Sequence, residues 1–175
     1  MDAAHFVLAA FLGFLWSVTR IFIPAPSGRQ RFNVLGALNA LTHEMVTITN
    51  DTYITAQSVC ALLEKIATLY SGLPITIFLD NARYQRCALV MEKARSLNLE
   101  LCFLPAYSPN LNLIERVWKF VKKKCLYSRF YEKFPAFKEA ISKCLSETQT
   151  IHKSDLDSLL TLRFQTFEKA QFVTV

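Results

Sequence analysis

Ile75-Thr76-Ile77-Phe78-Leu79-Asp80-Asn81 is a short apolar run that stops on an acid. Gly72 and Pro74 punctuate the chain just before it. A run of this length, rich in β-formers and bounded by turn residues, reads as a strand buried on both faces. A carboxylate is costly to hold in a core, so Asp80 marks the point where the strand leaves it. In open α/β sheets the carboxyl ends of the strands are where ligands bind.

Upstream, Phe32 to Asn39 and Met45 to Thr49 read as two strands joined by a short polar turn. Asn50-Asp51 stops the second and can cap the helix after it. From Thr55, Val59, Leu62, Leu63, Ile66 and Leu69 recur at helical spacing. Downstream of Asp80 a helix fits Arg83 to Leu97, and Leu101 to Leu104 reads as another buried strand. Pro105 and Pro109 keep the next stretch out of regular structure. A long helix then opens near Asn112, with Leu113, Ile114, Val117, Trp118, Val121, Cys125 and Leu126 on one stripe. One or two more helices follow Phe137, Asp155 to Leu162 being the clearest. No repeat or linker interrupts residues 1–175, so the expectation is one mixed α/β domain.

Composition limits the function classes. Apolar residues make up 52% and charged residues 19% of 175 positions, which excludes a disordered tail. The net charge of +6 suits an anionic partner without naming one. The five cysteines form no C-x-x-C pair and no finger-like grouping with histidine, and read as reduced core thiols. Ala3 to Thr19 carry no charge and approach the roughly 20 residues of a membrane span. His5, Ser17 and Thr19 interrupt that run, and the start Met1-Asp2 lacks a basic signal region. A buried strand or helix of a globular core, with no membrane contact, is the expectation.

Asp80 and Glu115 are the residues that point to chemistry. Taken singly, Asp80-Asn81 reads as a cap for the next helix, and Glu115 as a first-turn carboxylate or an i,i+4 partner of Lys119. Together they read differently. A strand-end acid, a proline-bracketed loop and an early-helix acid bring two carboxylates toward one point. Such a pair repels unless a cation bridges it, and hard divalent ions that also bind phosphate take oxygen ligands of this kind.

Leu79-Asp80-Asn81-Ala82-Arg83-Tyr84, followed by Leu104-Pro105-Ala106-Tyr107-Ser108-Pro109-Asn110-Leu111-Asn112-Leu113-Ile114-Glu115-Arg116-Val117-Trp118, resembles the DDE-type transposases of bacterial insertion sequences in the mariner-like superfamily. The 34 residues between Asp80 and Glu115 match the spacing of that group's second and third acids. The likeness runs from Asp2 to the Asp155–Leu160 region. Asp2-Ala3-Ala4-His5-Phe6 matches the segment holding the family's first acid, so Asp2 is a candidate by resemblance alone.

The resemblance implies a ribonuclease H-like mixed sheet flanked by helices. It implies that Asp2, Asp80 and Glu115 are catalytic and hold two Mg²⁺ or Mn²⁺ ions for DNA strand cleavage and strand transfer. Asn81 is a supporting residue that orients Asp80 or contacts a metal-bound water, or else simply caps a helix. Tyr107 and Ser108 are candidates for the DNA backbone. Lys119, Lys122, Lys123 and Lys124 form a basic run that is either a solvated face or a phosphate contact, and Arg29 and Arg31 are weaker candidates. Trp118 reads as core packing. The implied partners are DNA, as transposon ends and target, and a second copy in the full-length protein. The implied location is the bacterial cytoplasm, at the nucleoid.

Two departures from the family pattern stand out. The helix-turn-helix region that reads transposon ends is expected to be absent, and the strand before the first acid to be largely missing. The expectation is therefore a truncated copy, poorly active alone, that a polypeptide carrying the missing strand restores by strand addition. Three other readings remain: a related ribonuclease H-like nuclease or integrase, a non-catalytic remnant that still binds nucleic acid, and a small membrane-anchored protein using Ala3 to Ile23.

Overall fold

A computed structural model describes residues 1–8, 18–20, 22, 30–105 and 108–164. Three strands form an antiparallel sheet: β1 (Asp2–Val7), β2 (Arg31–Leu38) and β3 (Met45–Asn50), with β2 in the middle. After helix α1 (Ala56–Leu69), strand β4 (Ile75–Leu79) pairs in parallel with β5 (Leu99–Phe103) across helix α2 (Ala88–Ser96). A short 3₁₀ turn, Pro109–Leu111, leads into α3 (Ile114–Val121), which widens to π spacing over Lys122–Leu126. Helices α4 (Phe134–Ser146) and α5 (Lys153–Leu159) complete the described chain.

The period-2 alternation of β1 and β2 sorts side chains between two cores. Ala4, Phe6, Phe32 and Val34 face α3, the π turn, α4 and α5. Leu35 faces the other way, packing with Val59, Leu62, Leu63 and Ile66 of α1 and with Ile77 and Leu79 of β4. Helices thus cover both sides of the strands, the layered arrangement a mixed α/β domain needs. The seam between the two sheets is thin: the Met1 amino nitrogen donates to the Phe78 carbonyl at 2.6 Å, setting the start of β1 beside the end of β4. Leu104 N–H donates to the Leu79 carbonyl at 2.9 Å and carries the β4–β5 pairing one step further.

Several expectations are corrected. Asp2 is expected behind a largely missing strand, whereas it is itself the first residue of a six-residue strand. Six paired positions with β2, from Asp2 opposite Gly36 to Val7 opposite Arg31, are enough to hold it. Strand β4 is not buried on both faces: Ile77 and Leu79 point inward, while Thr76 is exposed and Phe78 is 53% exposed. Helix α2 begins at Ala88 rather than Arg83, because Gln85 and Arg86 donate to the Ala82 carbonyl in a separate turn that draws Gln85 fully inside. Asn50-Asp51 does not cap α1. Its N-cap is Thr55, whose amide donates to Ser58 Oγ, while Asp51 pairs with Lys138 at 2.6 Å. Pro109 starts a 3₁₀ turn inside a stretch read as irregular. The apolar run from Ala3 is β1 in its first part, and its residues 9–17 lie outside the described residues. No helix among the described residues is long and apolar enough to cross a membrane.

Leu63 is fully buried between α1 and the strands. Leu63→Ala is expected to cost about 2–5 kcal/mol through lost burial and a residual cavity, read as a lower urea midpoint with an unchanged slope.

Candidate active site

Asp2 opens β1 on the face that carries Ala4 and Phe6, and so looks toward α3. It is buried, and the Trp118 indole Nε1 donates to its Oδ2 at 2.9 Å. Burial pushes the Asp2 carboxyl above the usual carboxylate range and the charge of Asp80 adds to the rise, against the Ala3 amide and the Trp118 indole, which lower it. Asp80 follows directly on β4, partly buried. Asn112 Nδ2 lies 3.4 Å from Asp80 Oδ1 and 3.4 Å from the Met1 carbonyl, so one amide spans the gap between β1 and the end of β4.

Glu115 is the second residue of α3. Desolvation raises its carboxyl first, then the charges of Asp2 and Asp80, while Lys122 and Lys119 pull it down. From a strand start, a strand end and a helix start, the fold thus sets Asp2 in the field of Asp80, and Glu115 in the fields of Asp2 and Asp80. Tyr84 senses the same charges: its hydroxyl is pushed up by burial and by Asp2 and Asp80.

Asp80-Asn81 does not cap α2, which starts at Ala88. Asn81 Nδ2 instead donates to the Leu104 carbonyl at 2.6 Å, and Arg86 donates to Asn81 Oδ1 at 3.4 Å, tying the end of β4 to the end of β5. Lys124 is taken up by Asp155 at 2.8 Å and lies over the Phe120 ring. Lys119 and Lys123 are exposed and Lys122 partly so; of the three, Lys119 and Lys122 are the two whose charge reaches Glu115. Ser108 is partly buried, with its carbonyl accepting from Leu111 N–H at 3.0 Å, while Tyr107 and Arg29 lie outside the described residues. Arg31 is exposed at the start of β2, across from Val7.

The donor set suits a hard divalent cation: three carboxylates, two of them raised by burial and by neighbouring acids, and no ion pair to any of the three among the described residues. No three His, Cys, Asp or Glu side chains among the described residues are grouped so as to hold an ion as they stand. Sequence reasoning missed Asn112 and Trp118 as neighbours of the acids. The signal for Trp118 is spacing, since it lies about one turn beyond Glu115 on α3, while Asn112 precedes that helix and carries no local signal.

Residues 18–138 match the family model described as DDE superfamily endonuclease. The chain belongs to this family. Comparison with curated protein sequences finds no match. Among solved structures, this DDE endonuclease chain is similar to Mos1 transposase in a paired-end complex with the left transposon end, at 13% identity and a TM-score of 0.59, covering 94% of this chain and 55% of that one. It is similar to the Mos1 catalytic domain with raltegravir and Mg, at 11% identity and TM-score 0.53, covering 95% and 85%. A simian T-cell lymphotropic virus intasome matches at 16% identity and TM-score 0.54, covering 84% and 55%. The DDE endonuclease chain thus has the ribonuclease H-like fold of transposase and integrase cores, and spans about half the length of the chains in the two DNA-recombination assemblies.

Glu115→Gln removes a carboxylate that the other two acids repel. Because its folded value is raised, the folded chain keeps a proton that the unfolded chain has released. That contribution to stability is full below the ordinary value of 4.5 and is lost as pH rises through the folded value. Without divalent metal, the substitution should flatten this decline and stabilise the fold at neutral pH by a few tenths to about 1 kcal/mol, screened by solvent around a partly exposed group. Melting curves across that pH range in a chelator check it.

Proposed function

We propose that the chain is a DNA transposase catalytic domain, one domain over residues 1–175, performing metal-dependent strand cleavage and strand transfer in cut-and-paste transposition. The supporting observation is that the charge of Asp80 acts on Asp2 and the charges of both act on Glu115, while one Asn112 amide lies between Asp80 and the start of β1. These three would hold Mg²⁺ or Mn²⁺, two ions per site. Bound divalent metal supplies Lewis-acid polarisation of a phosphate and activation of the attacking oxygen.

The chain's own residues do the rest. Asn112 keeps Asp80 beside the start of β1. Asn81 fixes the exit of β4 against Leu104, so that Asp80 leaves the strand in one direction. Lys119 and Lys122, whose charges reach Glu115, would meet DNA phosphates, with Lys123, Ser108 and Tyr107 as further backbone contacts. The partners are transposon ends and target DNA, and a second copy of the full-length protein. DNA of this kind would place the protein at a bacterial nucleoid.

Saturating Mn²⁺ at about 100 times its dissociation constant should stabilise the wild-type fold by roughly 2.7 kcal/mol, and this gain should vanish in Asp80→Ala with Glu115→Ala. Nicking of supercoiled plasmid in Mn²⁺ should fall by about 10²-fold or more in either single variant, the scale on which removing one charge-stabilising group acts. A double variant that gains stability from Mn²⁺ and nicks DNA as the wild type does would overturn the assignment.

A further inference from the structure

Trp118 is 2% exposed, in the middle of the core beneath β1 and β2. Its ring meets Phe6 edge-on, with centroids 6.5 Å apart and planes at 84°. Gly36, directly opposite Asp2 in the β1–β2 pairing, lies against the same ring. A Cβ at Gly36 would stand 2.8 Å from Trp118 Cη2 and 3.1 Å from Cζ2, inside contact distance. Glycine weakens a strand interior, and its presence there marks the close approach of another group. Here that group is an indole ring whose only polar atom, a donor, meets the buried carboxylate across the strand pair.

We propose that Trp118, seated over Gly36, is a positioning residue that fixes the rotation of the Asp2 carboxylate toward a divalent cation. The proposal rests on the reading of Asp2 as a metal ligand. An indole N–H suits the role because it is always a donor and carries no charge. It orients one carboxylate oxygen without neutralising the group, as a lysine or arginine would, and leaves the anion to the cation. Partners that hold a metal ligand from behind in this way set its direction and basicity. Trp118 also stands three residues beyond Glu115 on the same helix, so the bond keys the first acid to the element that carries the third. The remaining acid, Asp80, is met by Asn112 just before that helix.

The test is Mn²⁺ binding by calorimetry and by the electron paramagnetic resonance of free Mn²⁺, on the whole chain without DNA. Trp118→Phe keeps an aromatic ring and loses the donor. If it does not fold, benzothienylalanine at position 118, with sulfur in place of N–H, keeps the shape of the indole. Either replacement should weaken Mn²⁺ binding by about 10- to 100-fold, the range for losing a partner of a metal ligand, and should add no further loss to Asp2→Asn. Gly36→Ala, which keeps the indole N–H but moves the ring that carries it, should also weaken binding. A wild-type chain that binds Mn²⁺, with the donorless chain binding it equally well, overturns the positioning role alone. A wild-type chain that binds no Mn²⁺ overturns the metal reading of Asp2 and this role with it. Those two results are distinguishable in one pair of titrations.

Discussion

Like charges held in a partly dehydrated corner repel, and that repulsion is the constraint around which the rest of this fold is arranged. Asp2 is buried, Asp80 and Glu115 are partly buried, and the charges of Asp2 and Asp80 both act on Glu115. A fold selected for stability alone would separate them or supply a cation from its own side chains. Here the side chains that donate to the first two acids are neutral, the Trp118 indole and the Asn112 amide. The stability given up at this corner is returned by two apolar cores, one on each side of the strands. The exchange of stability for a site that takes up positive charge is familiar in enzymes.

Helix α3 carries more of this arrangement than its eight residues suggest. Its apolar face closes one core through Ile114, Val117, Trp118 and Val121. Its start presents Glu115 to the other acids, and the residue two before it reaches Asp80. Arg116, next to Glu115, donates to the carbonyls of Leu159, Thr161 and Arg163 at 2.7–2.8 Å, binding the described end of the chain to the same helix. A shift of α3 would therefore alter the packing, the carboxylates and the C-terminal contacts together. Membership of the DDE endonuclease family, with a fold shared by transposase and integrase cores, gives that coupling a functional setting.

Much of this was legible in the residues themselves. Ile75 to Leu79 forms a strand over the residues its pattern delimits, and the helical stripe from Ile114 to Leu126 persists even where the backbone widens to π spacing. Local pattern succeeds there because burial and periodicity coincide. It failed where tertiary contacts decide. Arg83 to Cys87 has helical composition, yet the turn at Ala82 and the inward Gln85 delay α2. Thr76 and Phe78 look like core residues, yet the described helices leave that face of β4 open. Asp2 was reachable only through resemblance, since nothing local distinguishes a buried strand-start acid from a surface one. Trp118 was legible as core but not as a donor to Asp2. That bond depends on a glycine 82 positions away in sequence, brought opposite Asp2 by strand pairing.

The central claim, that Asp2, Asp80 and Glu115 form a divalent-metal centre, is tested most directly by crystals of the chain soaked in Mn²⁺ and measured for anomalous scattering. The account predicts peaks bounded by those three carboxylates and lost in crystals of Asp80→Ala. Ordered Mn²⁺ found only elsewhere on the molecule, or none at this corner at saturating metal, would contradict it.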